Sequence, residues 1–121
     1  MWAVADLEVW KKSVELAKDV YLLMMNNSKF SKDYWLKDQI QRCAVSIPSN
    51  IAEWCSRWTD KEFVRFLIIA RWSTSELETQ LLISKEIWYI DDLELRKFYD
   101  NINNIQRMLN GLIKKLNSNW V

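Results

Sequence analysis

Four stretches of this 121-residue chain place apolar side chains every three or four positions, and none alternates them in twos. That period marks helices with one buried face. The first stretch, 6–26, carries Leu7, Trp10, Val14, Ala17, Tyr21 and Met24, and Asn26, Asn27 and Ser28 interrupt it. The second spans 33–57. The third, 59–87, carries Phe63, Phe66, Leu67, Ala70, Leu77, Leu81 and Ile83. The fourth, 91–117, carries Leu95, Phe98, Ile102, Ile105, Leu109, Leu112, Ile113 and Leu116. Helices of this size are about 30–42 Å long, and short connections make neighbours antiparallel. The expected fold is all-α: one domain over 1–121, built as an antiparallel up-down-up-down four-helix bundle.

The second stretch holds the chain's single proline, Pro48. Proline removes a backbone donor, clashes with the turn before it, and drives the preceding residue, Ile47, from helical angles. Either the helix kinks at Pro48, or Ser46 caps a second half-helix. Apolar spacing continues through Ile47, Ile51 and Ala52, which favours the kink. Arg42, Ser46, Asn50 and Glu53 recur along the same stretch at helical spacing. A polar group buried without a partner costs about 1–3 kcal/mol. With Arg65 and Glu76 of the third helix, this stripe is expected to form an interhelix or intersubunit polar seam. Two helix starts are also legible. Thr59-Asp60-Lys61-Glu62 reads as a capping box, and Asp91 with Glu94 repeats the pattern.

One domain of this length buries a core without staples. The net charge is +1, so no global field draws the chain to nucleic acid or anionic lipid. Only the last segment, with Lys114 and Lys115, is mildly basic. No apolar run approaches the roughly 18–20 residues of a membrane span, and the start does not read as a signal peptide. Cys43 and Cys55, on one helix, would stand about 18 Å apart, beyond disulfide reach. Two buried thiols in a reducing cytoplasm are expected.

One glycine and eight tryptophans is an unusual inventory; average usage of about 7% would give roughly eight glycines. Several tryptophans fall where glycine is wanted. Trp54 and Trp58 are expected in the turn after the second helix, Trp88 at the end of the third, and Trp35 after the first connection. Helices commonly terminate on a left-handed residue, usually glycine. Trp72 precedes Ser73 inside the third helix, where a small residue would allow close contact. Trp2, Trp35, Trp54, Trp58, Trp72, Trp88 and Trp120 are therefore expected to be glycine positions, encoded by UGA codons that some bacterial lineages read as glycine.

The chain has no histidine, which removes the usual general base and the commonest neutral metal ligand. Two distant cysteines make a poor zinc site. Glu-x-x-His pairs for a di-iron bundle are absent, as are phosphate-cradling glycine loops. No catalytic residue, metal or cofactor is expected, and no enzyme activity.

Residues 39–53 include Ser46-Ile47-Pro48-Ser49-Asn50-Ile51-Ala52-Glu53. Leu7-Glu8-Val9-Trp10-Lys11-Lys12 opens the first helix, and Ser73-Thr74-Ser75-Glu76-Leu77-Glu78-Thr79-Gln80-Leu81 follows Phe63-Val64-Arg65-Phe66-Leu67 in the third. Arg107-Met108-Leu109-Asn110-Gly111-Leu112 lies near the end. Together these resemble the bacterial four-helix-bundle family of ribosomal-RNA intervening-sequence proteins, which includes the accessory variability protein of diversity-generating retroelements. The resemblance covers nearly the whole chain and implies a ring-like homopentamer without enzymatic activity. In the family, glycine usually follows the Ala-Glu pair and precedes the serine of helix three, where Trp54 and Trp72 stand here.

Two functions of different kinds follow from the resemblance. One is a non-catalytic homo-oligomeric scaffold or adaptor that binds another protein. The other is an accessory protein that binds ribosomal or retroelement RNA, or DNA, weakly. In the second, a ring of copies would gather Lys11, Lys12, Lys114 and Lys115 into a phosphate-binding rim.

Overall fold

The computed structural model describes residues 4–57 and 64–119, and every element among them is helical. A 3-10 turn (Val4–Asp6) precedes α1 (Glu8–Asn26). Then come α2 (Ser28–Ser31), α3 (Tyr34–Ser56), α4 (Val64–Glu86) and α5 (Asp92–Asn119). The four long helices are those the periodicity marks. The capping box at 59–62, Phe63, Trp2, Trp58 and Trp120 lie outside the described residues.

Each long helix packs on two others: α3 on α1 and α4, and α5 on α4 and α1. The four stripes meet in one core. Leu16 and Val20 of α1, Ile40, Ile47 and Ile51 of α3, Leu67, Leu77 and Leu81 of α4, and Ile102, Ile105 and Leu109 of α5 are all essentially inaccessible. Burying one such side chain is worth about 1.5–3 kcal/mol, so this cluster dominates the stabilisation. In two stripes some members fall outside the core, while Ala17, Met24, Leu67, Ala70, Leu77 and Leu81 are buried as the spacing predicts. Val14 and Tyr21 are about 40% exposed, while Val9, Ser13, Leu16 and Val20 face inward. Ile83 is also exposed. A run of three-and-four spacings fits several rotations of one helix, and the neighbours select the one that buries most surface.

Pro48 is buried inside α3, which continues unbroken from Tyr34 to Ser56. A separate half-helix capped by Ser46 does not form. Trp54, expected in the turn after this helix, belongs to α3 and is fully buried.

Local chemistry fixes the helix ends. Asp91 Oδ1 accepts from the Glu94 amide at 2.8 Å, and Glu94 Oε1 accepts from the Asp91 amide at 3.3 Å, the reciprocal box expected there. The Asp33 carboxylate caps α3 by accepting from the Leu36 amide. The short α2 has no signal in the periodicity. It forms because Phe30 plugs the end of the core, fully buried and edge-on to Tyr89 at 5.1 Å. Asn27 Nδ2 donates to the Tyr89 carbonyl at 2.7 Å, and the Tyr89 hydroxyl donates to Asp33 at 2.9 Å. The hydrogen bond to Asp33, with burial and the carboxylate's charge, raises the Tyr89 phenol above its ordinary value.

After α4 the chain reverses through a paired hydrogen-bond motif. The Tyr89 amide donates to the Ser84 carbonyl at 2.8 Å and the Trp88 amide to the Lys85 carbonyl at 3.0 Å. This six-to-one and five-to-two pairing is a Schellman cap, whose next-to-last residue is left-handed and usually glycine. Here it is Trp88, at φ 70°, the single described non-glycine residue with positive φ. Gly111 instead lies within α5, with nothing within 4 Å of where a Cβ would stand.

Two substitutions should therefore stabilise the fold. A left-handed L-residue costs roughly 1–2 kcal/mol, part of which glycine's entropy offsets. Trp88→Gly is expected to gain about 0.5–1 kcal/mol in urea unfolding, whereas Trp88→Ala, which keeps a Cβ, gains little. Gly111→Ala should gain a similar ~0.5–1 kcal/mol. A loss on Trp88→Gly would mean that the indole's contacts outweigh the backbone strain.

Candidate functional site

The α3–α4 contact is the most extensive in the bundle, and small polar side chains line its outer edge. The Ser46 and Ser73 hydroxyls stand 2.9 Å apart. Ser73 Oγ also reaches the Ile69 carbonyl at 3.0 Å. Asn50 Nδ2 donates to the Ser46 carbonyl at 2.7 Å and to Ser46 Oγ at 3.0 Å. The Cys43 thiol donates to the Ser73 carbonyl at 3.1 Å. Four small groups thus share one network, and their size lets the two helices lie close.

Outside this network a shallow groove of about 290 Å³ runs between the helices, lined by Gln39, Arg42, Ser46, Ser73, Glu76 and Gln80, with Cys43 and Ile69. Gln80 Oε1 is buried there and accepts no hydrogen bond. A buried acceptor left in this state is a standing cost of about 1–3 kcal/mol, which an incoming donor would relieve.

The six residues marked from the sequence all lie along this face, although they do different things. Ser46 and Asn50 are inside the network. Arg42 is largely exposed, with its Nε 2.8 Å from Asp38 on its own helix. Glu53 is half-exposed and pairs with Arg57 at 3.0 Å. Arg65 is exposed, with its guanidinium 5.3 Å from the Phe66 ring. Glu76 is exposed on the groove wall. The charged members therefore point outward from the bundle and do not cross-link it. Arg65, Trp72, Glu76 and Ile83 recur on α4 at steps of seven, four and seven, one outward stripe beside the groove. Trp72 and Ile83 are 60% and 46% exposed.

The lysines marked for phosphate lie on α1 and α5. Lys11 stands 3.5 Å from Glu8. Lys12 edges a small cleft between α1 and α5 beside Glu15, Asn101 and Asn104. Lys114 and Lys115 are exposed near the end of α5. Among the described residues, no group of three acidic, cysteine or histidine side chains could hold a metal ion. No described helix is long and apolar enough to cross a membrane.

Sequence reasoning gave Ser73 and Gln80 no part in the seam. Ser73 lies four residues from Ile69 and meets α3 only once the helices pack, so its spacing carried no separate signal. Gln80 is one of several polar positions on α4, and only burial distinguishes it.

Burial, with a smaller contribution from Glu76, pushes the Cys43 thiol up to about 12. The folded state holds this proton more tightly than the unfolded chain does. Its contribution to stability is therefore complete below the ordinary thiol value of 9.0 and fades as pH rises toward 12. Cys43 should resist a thiol-disulfide reagent at pH 8 until denaturant is added; prompt labelling of Cys43 in the native protein would contradict its place in the seam.

The sequence matches the family model of the 23S rRNA-intervening sequence protein over residues 5–111. No curated protein matches it. A crystal structure of a protein of unknown function from the S23 ribosomal protein family of Bacteroides thetaiotaomicron superposes with a TM-score of 0.81. That protein is 26% identical, over 88% of this chain and 98% of its own. Sequence pattern and fold agree, and the chain belongs to the 23S rRNA-intervening sequence protein family.

Proposed function

We propose that this chain is a non-catalytic, homo-oligomeric scaffold or adaptor of the cytoplasm, assembled as a ring of five through its α3–α4 face. The observation that carries this reading is the face itself: an outward stripe on α4 in which Arg65, Glu76 and Ile83 are exposed, beside a polar groove with an unfilled buried acceptor. Helix α4 shows apolar side chains on nearly every side, with Leu82, Ile83 and, just past its end, Ile87 each more than 40% exposed. A helix of that kind is normally enclosed. Within each copy, the four long helices take the antiparallel up-down-up-down order, with α3 bent at Pro48. Cross-helix partners support the order. Asp33 meets Tyr89 while Ser46 meets Ser73, so numbers rise on α3 as they fall toward α4's start. Glu78 meets Gln106 while Arg71 meets Asn110.

Charge favours a second copy over a polyanion. In that order, Arg42 of α3 stands level with Glu76 of α4, and Glu53 level with Arg65. Opposite signs at both levels neither repel an identical chain nor build the uniform positive field that nucleic acid needs. The basic residues at 11–12 and 114–115 are few, and Glu8 and Glu15 neighbour the first pair.

Sedimentation should find an assembly that dissociates on dilution. Glu76→Arg, beside Arg42, should weaken it about tenfold or more, equivalent to ~1.4 kcal/mol, with helicity unchanged. A chain monomeric at all concentrations would end the assembly reading. For RNA, a fragment of 23S rRNA should bind weakly and with little salt dependence. Tight binding that falls steeply with salt and is lost on neutralising Lys114 and Lys115 would establish the nucleic-acid function instead.

A further inference from the structure

We propose that Trp72 and Trp88 are glycine positions, filled with glycine in the organism that makes this protein because their codons are UGA and the host reads UGA as glycine. Three independent observations meet here. The first is composition: a helical chain with several turns holds one glycine against eight tryptophans. The second is backbone geometry. Trp88 takes φ 70° in the glycine place of a Schellman cap, a conformation in which a bulky L-residue is a genuine outlier. The third is solvation. Trp88 is 81% and Trp72 60% exposed, although tryptophan is among the most buried side chains on average. Meanwhile Gly111, the single glycine, occupies a helix interior with open space around it and needs none of glycine's freedom.

Of the seven tryptophans first marked from the sequence, the structure separates the four among the described residues. Trp35 is 73% exposed in the first turn of α3, where glycine is tolerated and not required. Trp54 is fully enclosed by the core, so a glycine there would leave a cavity or need the helices to close on it. The inference is therefore held to 72 and 88. It concerns which residues the natural surface carries, and it stands apart from the assembly reading. Its consequence falls on the same face, though. With glycine at 72, the rim of the Ser46–Ser73 groove loses its largest exposed side chain, and another helix backbone could approach the serine network directly.

The decisive experiment is peptide mass spectrometry of the protein purified from its own host, read beside the coding DNA. UGA codons at 72 and 88, with peptides of the glycine mass, are the expected result. UGG at either position, or a tryptophan-bearing peptide there, overturns the inference. A physical check uses the recombinant chain with tryptophan retained, against Trp72→Gly, Trp88→Gly and the double variant. Trp88→Gly should unfold at a higher denaturant concentration, Trp72→Gly, inside α4, at a lower one, and the double variant should assemble more tightly than the parent. If it assembles no better but the host peptide carries glycine, the residue assignment stands and the α3–α4 assembly reading fails.

Discussion

The close contact between α3 and α4 is the constraint on which the rest of the molecule turns. A proline in mid-helix removes a donor from the ladder of α3, and the residues around it are chosen so that α4 can still come near. Ser46 and Asn50 flank Pro48, Cys43 sits one turn earlier, and Ser73 meets them from α4. Each is small, and each gives its polar atom a partner. Elsewhere, buried hydroxyls return to their own helix: Ser13 to the Trp10 carbonyl, Thr74 to Arg71 and Ser84 to Gln80. Such back-bonding satisfies the group without help from a neighbouring helix. At the seam beside Pro48, by contrast, Ser46 and Cys43 bind across to Ser73 of the next helix, and it is also where an acceptor, Gln80 Oε1, is left over.

At the seam the other polar atoms are already engaged with one another. The hydroxyls at the seam are committed to carbonyls or to each other, the thiol is held protonated by burial, and the chain contains no histidine to take a proton. What remains outward is a face of alternating charge with apolar side chains beside it. Chemistry of that kind suits recognition of another folded surface, where a charged rim sets register and apolar centres supply affinity.

How much of this was legible beforehand depends on the range of the interaction. The four long helices and the Asp91–Glu94 box are written in neighbours three or four residues apart, and those were readable. Helix α2 was not, because Phe30 forms it by filling space between Tyr89 and the ends of α1 and α3. The edge of the α1 stripe was not readable for the same reason: Ala17 and Met24 are buried as expected, but Val14 and Tyr21 satisfy the spacing as well as Val9, Leu16 and Val20 do. Polar spacing found the face that carries Arg42, Ser46, Asn50, Glu53, Arg65 and Glu76. It could not say which of these turn inward, since a period assigns a stripe and only the neighbouring helix decides where the boundary of burial falls along it.

The tryptophans are where sequence and structure argue with each other most usefully. A composition alone cannot distinguish an aromatic anchor from a misplaced residue, because both are rare and both are large. Geometry can. Trp54 is enclosed as an anchor should be, whereas Trp88 is held in a left-handed turn with its ring in solvent. The cap at Trp88 is nevertheless complete, with both of its hydrogen bonds formed. A backbone that keeps a glycine motif intact around a side chain ill suited to it implies that the motif was set by the rest of the fold, by Tyr89 returning to Asp33 and Asn27, and not by the residue at 88. The turn specifies glycine more strongly than its own letter does.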